Sequence, residues 1–207
     1  MTDPPPERSR LRAIRRAIDP AAAEGHALAV RDAVMAEIGA VLAEIGAVLA
    51  ETGVDQAADL RVGSYVAHDG ELDTEPLSTA LRSLGATTWY PIVADHPDDA
   101  LVFRRWDGLA PLERGAHGIA VPPDGEVVEG TQLSTVIVPL VGFDADRNRL
   151  GMGAGHYDRT FAIRRTGGVS RPLLIGVAHD EQQVDRLTPQ PWDVRLDVIV
   201  TPTRVMR

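Results

Sequence analysis

Apolar positions along the chain fall first into helical spacing and later into short unbroken runs. In RSRLRAIRRAI, Leu11, Ile14 and Ile18 recur three and four residues apart, which predicts a basic helix from Glu7 to Ile18. Asp19-Pro20 then supplies an N-cap and a first helical residue for a second, Ala-rich helix that runs to about Glu51, with Gly53 at its end. Within it AEIGAVL at 36–42 recurs at 43–49. Seven residues fall about 20° short of two helical turns, so the duplication lengthens the helix while Ile38/Ile45 and Leu42/Leu49 stay on nearly one face. With only two heptads, each carrying a glycine, this reads as a core-facing helix and not as a coiled coil.

From residue 60 the pattern alternates. LRVGSYVA (60–67), TTWYPIV (87–93), LVFRRW (101–106), STVIVPLVGF (134–143), PLLIGVAH (172–179) and LDVIVTP (196–202) read as strands. Between them TEPLSTALRSLG (74–85) reads as a helix with Thr74 as cap, Pro76 in the first turn and Gly85 at the end. A further helix is expected from about His156 to Arg165, and the Gly- and Pro-rich stretch 107–133 as an extended, loop-rich connection. Such alternation predicts an α/β fold: a three-layer α/β/α arrangement around a mostly parallel or mixed sheet. Residues 7–207 are expected to form a single domain behind a disordered, proline-rich tail at 1–6.

Charge and composition narrow the chemistry. A formal net charge of −9 argues against broad binding to nucleic acid or an anionic membrane, so an anionic ligand has to be held by a few placed cations and backbone N–H groups. No apolar run is long enough to span a bilayer and the N-terminus lacks a signal-peptide core, so a cytoplasmic protein is expected. Cysteine is absent, which removes disulfides, thiolate-bound zinc and thiol nucleophiles together. The six histidines show no metal-binding spacing and there is no G-x-S-x-G elbow. An enzyme built on this chain would work without a nucleophile of its own.

The candidate site is RNRLGMGAGHYDR (147–159), which follows a strand and opens a helix, where open α/β sheets bind ligands. Glycines at 151, 153 and 155 allow close backbone approach to phosphate, and Arg149 adds a forked cation. The G-x-G-x-G spacing is neither the dinucleotide nor the Walker pattern, so a phosphate loop and a structural loop both stay open on spacing alone. Asp158 serves equally as a helix-dipole partner or a magnesium ligand. Asp193 and Asp197, in PWDVRLDVIV, are loop carboxylates or further metal contacts. Arg8 and Arg12 share a helix face and could grip a polyphosphate or simply be solvated. Glu71 and Asp73, in the turn AHDGELDT, sit where an acid could meet the N–H donors of a heterocycle.

In order along the chain, RSRLRAIR, SYVAHDGELDT, VPLVGFDADRNRLGMGAGHYDRTF, IGVAHDEQ and PWDVRLDVIVTP resemble the 5-formyltetrahydrofolate cyclo-ligase (5,10-methenyltetrahydrofolate synthetase) family across residues 8–202. The resemblance implies an ATP- and Mg²⁺-dependent ring closure of 5-formyltetrahydrofolate through a phosphorylated formyl group, and a fold like that of the sugar-phosphate isomerase and CoA-transferase group. It also implies site roles. Arg8, Arg12 and the loop Arg149, Leu150, Gly151, Met152, Gly153, Ala154, Gly155, His156 and Tyr157 would bind ATP. Val66, Glu71 and Met152 to His156 would meet the folate, and Asp158 and Asp193 would face magnesium. Asp197 would support them. Arg149 and Glu71 are the residues expected to carry catalysis.

Some positions depart from the family pattern. Arg8 stands where lysine is frequent, Ala154 and His156 replace a common Gly or Lys and a common aromatic, and GAHGIAVP (115–122) carries His117 and Val121. A monomer acting on 5-formyltetrahydrofolate and ATP, with no nucleic-acid or membrane partner, is the expectation. The rival reading is a non-catalytic folate- or nucleotide-binding or interaction member of the same fold.

Overall fold

The structure is a computed structural model that describes residues 6–49, 60–92, 100–115, 118–166 and 171–207. Helix α1 (Pro6–Arg16) and helix α2 (Pro20–Leu49) meet at Asp19, whose Oδ1 accepts the N–H groups of Ala21 and Ala22 at 2.9 and 3.3 Å. Asp19 thus caps α2 as the Asp-Pro pair predicts. Of the tail expected to be disordered at 1–6, Pro6 instead opens α1; residues 1–5, the expected helix end at Gly53, the side chains of the second heptad and His117 lie outside the described residues.

The chain continues through β1 (Arg61–Gly63), α3 (Glu75–Ser83), β2 (Thr87–Ile92), β3 (Val102–Arg105), β4 (Glu113–Arg114), β5 (Ala120–Val121) and β6 (Val127–Glu129). It then forms β7 (Thr135–Pro139), β8 (Gly142–Phe143), β9 (Arg149–Leu150), α4 (His156–Thr160), β10 (Leu173–Val177), β11 (Val198–Val200) and β12 (Val205–Met206). Among the described residues, eight strands make one mixed sheet in the order β12-β11-β10-β7-β1-β2-β3-β6. The five from β11 to β2 run parallel, while β12 at one edge and β3 and β6 at the other pair antiparallel.

Both faces of the sheet are covered. Val30, Val34 and Ile38 of α2 and Leu77 and Leu81 of α3 pack against Val62, Ile137, Ile175 and Val200 on one side. On the other, Val136, Val138, Leu174 and Ile199 meet Phe143, Phe161, Val194 and Leu196, which come from the β8–β9 hairpin, the end of α4 and the segment before β11. This second layer is built from hairpin, loop and one short helix. The apolar run of β7 is buried on both sides, as continuous apolar strands of parallel sheets are.

Four expectations are corrected or sharpened. The run 134–143 is not one strand: β7 stops at Pro139, and the Leu140 and Val141 carbonyls bond to the Gln182 side chain at 2.8 and 3.0 Å, turning the chain out of the sheet into β8. The loop-rich stretch 107–133 carries short strands that its sequence did not mark: β4 and β5 pair there and β6 joins the sheet edge. Thr74 holds the N-cap position of α3, but its side chain makes no cap bond: the hydroxyl donates to the Tyr65 carbonyl at 2.7 Å, and Asp73 Oδ1 accepts the Glu75 N–H instead. The helix expected over 156–165 ends at Thr160 and gives way to a 3-10 turn at Ala162–Thr166, with Phe161 buried between them.

Sheet order also locates the crevice. From β1 the chain adds β2 on one side, whereas from β7 it adds β10 and then β11 on the other. The order reverses between β1 and β7, and connections leaving on opposite sides there open a cleft beyond the carboxyl ends of the two strands.

Candidate active site

A cavity of about 1010 Å³ occupies this switch point. Tyr65, Val66 and Glu71, which follow β1, line one wall, and Pro139 to Val141, which end β7, line another. The glycine loop from Arg149 to Asp158 borders it, and Arg8 and Arg15 of α1, Tyr90 to Ile92 of β2, Ile119 to Val121 at β5, and Trp192 and Asp193 before β11 also line it.

Local hydrogen bonding explains the loop's shape. Asp144 Oδ1 accepts the N–H groups of Asp146 and Asn148, both at 3.0 Å, and Oδ2 accepts Asn148 Nδ2 at 3.0 Å and the Leu187 N–H at 2.9 Å. This fixes the turn between β8 and β9 and delivers Arg149 to the cavity. Gly153 and Gly155 have φ of 106° and 69°, conformations costly for any side chain-bearing residue. The loop is tied down from outside: Arg8 Nε donates to the Gly151 carbonyl at 2.7 Å and Arg159 Nη1 to the Ala154 carbonyl at 2.7 Å. Because α4 has only five residues, the loop N–H groups and arginines, more than a helix dipole, set the positive character here.

Arg149 Nη2 donates to Asp158 Oδ1 at 2.6 Å, and its guanidinium lies 5.8 Å from the Tyr157 ring centre. The same Asp158 oxygen accepts the Val194 N–H at 2.9 Å, which draws the segment carrying Asp193 to this wall. Asp193 Oδ2 accepts the Gln190 N–H at 2.8 Å. Two carboxylates at one wall, and no cluster of three or more acidic or histidine side chains among the described residues, do not make a closed all-protein metal cage. They do fit magnesium, a hard cation that takes one or two carboxylates and completes its shell with phosphate oxygens and water.

Across the cavity, Glu71 Oε2 accepts the His68 N–H at 3.1 Å, and its Oε1 lies 3.7 Å from Arg15 Nη1. Burial pushes the Glu71 carboxyl above its ordinary range, while the Arg15 charge and the His68 N–H pull it down. Tyr65 hydroxyl donates to the Leu72 carbonyl at 2.8 Å and stiffens the same turn. The Tyr157 hydroxyl is buried without a hydrogen-bond partner among the described residues, and burial together with the Glu71 charge raises its pKa. A buried polar atom left without a partner is suited to meet a ligand.

The structure therefore brings together Arg8, Val66, Glu71, Arg149 to Asp158 and Asp193. Arg12 is placed elsewhere: its Nε pairs with Asp69 Oδ2 at 2.8 Å, and it is not part of the cavity lining. Asp197 supports the fold near the site, with Oδ2 accepting the Leu174 N–H at 2.7 Å and Oδ1 pairing with Arg164 at 2.5 Å. Sequence reading missed Arg15, Asp69, Arg159 and Trp192. The 8, 12, 15 spacing of arginines on one helix was a usable signal for Arg15. Nothing local marks Asp69 or Trp192.

The IGVAHDEQ segment supports the site from behind. His179 N–H donates to Gln182 Oε1 at 2.9 Å, and Gln182 Nε2 holds the Leu140 and Val141 carbonyls of the cavity wall. His179 Nδ1 lies 2.9 Å from His26 Nδ1, and burial, then the neighbouring His26, lower its pKa to about 4. The unfolded chain therefore binds a proton that the native state refuses. Stability should fall as pH drops from about 6.5, the unfolded value, through about 4. Urea titrations at neutral and acid pH check this, and His179→Gln should flatten the dependence over that window.

The family model described as the 5-formyltetrahydrofolate cyclo-ligase family matches residues 5–202. A protein of Escherichia coli K12 named 5-formyltetrahydrofolate cyclo-ligase is 35% identical over 148 residues, covering 70% of this chain and 79% of that protein. A Haemophilus influenzae protein of the same name is 31% identical over 150 residues, 71% and 79% of the two chains. Among solved structures, Aquifex aeolicus 5,10-methenyltetrahydrofolate synthetase superposes with a TM-score of 0.71 at 25% identity, covering 97% of this chain and 90% of that one. Matching folds, a family model spanning nearly the whole chain and relatives above 30% identity agree with the glycine loop and the switch-point cavity: the chain belongs to the 5-formyltetrahydrofolate cyclo-ligase family.

Proposed function

We propose that this enzyme uses ATP to close 5-formyltetrahydrofolate into 5,10-methenyltetrahydrofolate, releasing ADP and phosphate. The observation that carries this reading is the convergence, in one cavity, of a cation-bearing glycine loop and the Glu71 wall. In this reading the loop N–H groups, Arg8 and Arg149 bind the ATP phosphates, and Val66, Glu71 and Met152 to His156 hold the folate, with the Glu71 carboxylate accepting N–H groups of its heterocycle. The formyl oxygen attacks the γ-phosphorus and the bond to ADP breaks. N10 then attacks the formyl carbon, the carbon–oxygen bond to phosphate breaks, and the N10 proton leaves to phosphate or solvent. Both nucleophiles belong to the substrate, which agrees with a cavity that offers positioning and charge and no thiol.

Asp158 and Asp193 would hold magnesium, which neutralises phosphate charge when bound. Arg149 stabilises the negative charge moving between the phosphoryl group and ADP. Residues 7–207 act as one domain, a cytoplasmic monomer with no nucleic-acid or membrane partner; among the described residues no helix is long and apolar enough to cross a membrane.

Purified protein given 5-formyltetrahydrofolate, ATP and magnesium should form methenyltetrahydrofolate, ADP and inorganic phosphate in equal amounts. Phosphate retained on an organic product would point to a kinase. Binding of both substrates without any turnover would favour a non-catalytic member.

A further inference from the structure

We propose that Arg15 is a positioning residue for the folate half of the site, holding the turn that follows β1 against the end of β7 so that the Glu71 carboxylate is presented ionised and in one orientation. This rests on the reading of Glu71 given above.

The Arg15 side chain is fully buried, at 0% exposure. Its Nε donates to the Asp69 carbonyl at 2.8 Å, Nη2 to Asp69 Oδ2 at 3.0 Å and Nη1 to the Leu140 carbonyl at 3.3 Å, with Glu71 Oε1 at 3.7 Å. One guanidinium thus spans both lips of the switch-point cleft, the turn after β1 and the carbonyl end of β7.

A purely structural role explains this poorly. Asp69 is already paired with Arg12 and Arg16, and burying a further guanidinium carries a desolvation cost that an apolar side chain would avoid. Leu11, one turn earlier on α1, is itself fully buried, so an apolar residue could pack beside it at this position. The planar fork does what no apolar side chain can: it bonds two carbonyls and a carboxylate at fixed angles beside a second carboxylate.

The surroundings of Glu71 give Arg15 its particular weight. Tyr65 ahead of the turn, Tyr157 from α4, and His68 and Asp69 of its own turn face this carboxyl along with Arg15. Burial and the Asp69 charge disfavour its negative charge. Arg15 is the strongest influence opposing burial, ahead of the His68 N–H. The turn also rests directly on the helix: a side chain at Gly70, where φ is 76°, would meet the Arg15 carbonyl oxygen and Arg16 Cα, each at 3.1 Å. Because α1 also carries Arg8, which holds the Gly151 carbonyl, one helix braces both the loop and the folate turn.

The test compares Arg15→Met, Arg15→Lys and Glu71→Gln in steady-state assays with 5-formyltetrahydrofolate and ATP, over the pH range in which each variant stays folded by circular dichroism. Arg15→Met should raise KM for the folate by about tenfold or more, the scale of one charged hydrogen bond, with a much smaller effect on KM for ATP. Without the positive charge, Glu71 protonates more readily, so the acid limb of kcat/KM for the folate should move up by about one pH unit or more. Arg15→Lys keeps the charge and loses the fork, so it should leave the acid limb near its wild-type position while KM for the folate stays raised.

A folded Arg15→Met with wild-type folate KM and an unmoved acid limb overturns the proposal. If Arg15→Met does not fold, Arg15→Lys decides, and wild-type KM values for both substrates overturn it. Glu71→Gln separates the two ideas. If it changes neither the folate KM nor the acid limb, the Glu71 reading fails. If it changes both while the Arg15 variants change neither, only the Arg15 proposal fails.

Discussion

Arg149→Ala is expected to lower turnover at least a hundredfold while the protein still folds. Arg149 is nearly buried at the cavity wall, with 7% of its side chain exposed, and its guanidinium is fixed by Asp158 at 2.6 Å and packed over Tyr157. Removing a single preorganised donor from a developing charge costs about 2.7–4 kcal/mol of transition-state stabilisation, a factor of about 10² to 10³. Loss should fall mainly on kcat, because the charge that Arg149 meets grows during phosphoryl transfer. Arg149→Lys restores the charge but not the fork, and should recover only part of the rate. If Arg149→Ala retained near-wild-type kcat, Arg149 would have no part in the chemistry. Its pairing with Asp158 would then be structural only.

Asp69→Ala should be the most destabilising single change near the site. Its carboxylate meets Arg12 at 2.8 Å, Arg15 at 3.0 Å and Arg16, and only 10% of its side chain is exposed. Removing it takes from the fully buried Arg15 its nearer carboxylate, leaving Glu71 at 3.7 Å and two carbonyls, and breaking a buried ion pair typically costs about 3–5 kcal/mol. Burial opposes ionisation of Asp69, but the hydrogen bonds and charges of the three arginines outweigh it and hold the carboxyl well below its ordinary 3.8. A depressed carboxyl contributes its full stability above the unfolded value and loses it as pH falls through the folded one. The difference between wild type and Asp69→Ala should therefore be constant above about pH 5 and narrow only in strong acid. Denaturant titration at neutral pH checks the magnitude, and a cost below about 1 kcal/mol would mean that Arg15 finds another partner.

Much of the fold was legible because its signals are local. Asp19-Pro20 marks a helix start through a bond the aspartate makes two and three residues on, and the apolar run at 134–139 marks a strand buried on both faces. Where the reading went astray, distant partners decided. Leu140 and Val141 look like further strand residues, yet Gln182, some forty positions away, takes their carbonyls. Thr74 looks like a cap, yet the Tyr65 carbonyl claims its hydroxyl. Strand β6 escaped notice because an edge strand of three residues, only one of them buried, has almost no apolar pattern.

The site divides in the same way. Arg149, the glycines and Asp158 lie within ten residues, so spacing alone singled out the loop, although it could not tell phosphate binding from a structural turn. Arg8 and Arg12 share a helix face in sequence, but Asp69, remote along the chain, draws Arg12 away from the cavity. Arg15 shares that arginine face, and its role is visible only once the turn after β1 and the end of β7 stand beside each other.

The central claim is that the formyl oxygen of the folate takes the γ-phosphoryl group of ATP. A single turnover with 5-formyltetrahydrofolate carrying ¹⁸O in the formyl group tests it directly. One ¹⁸O per methenyltetrahydrofolate formed should appear in inorganic phosphate, and none in water. Methenyltetrahydrofolate formed with unlabelled phosphate would contradict phosphorylation of the formyl oxygen.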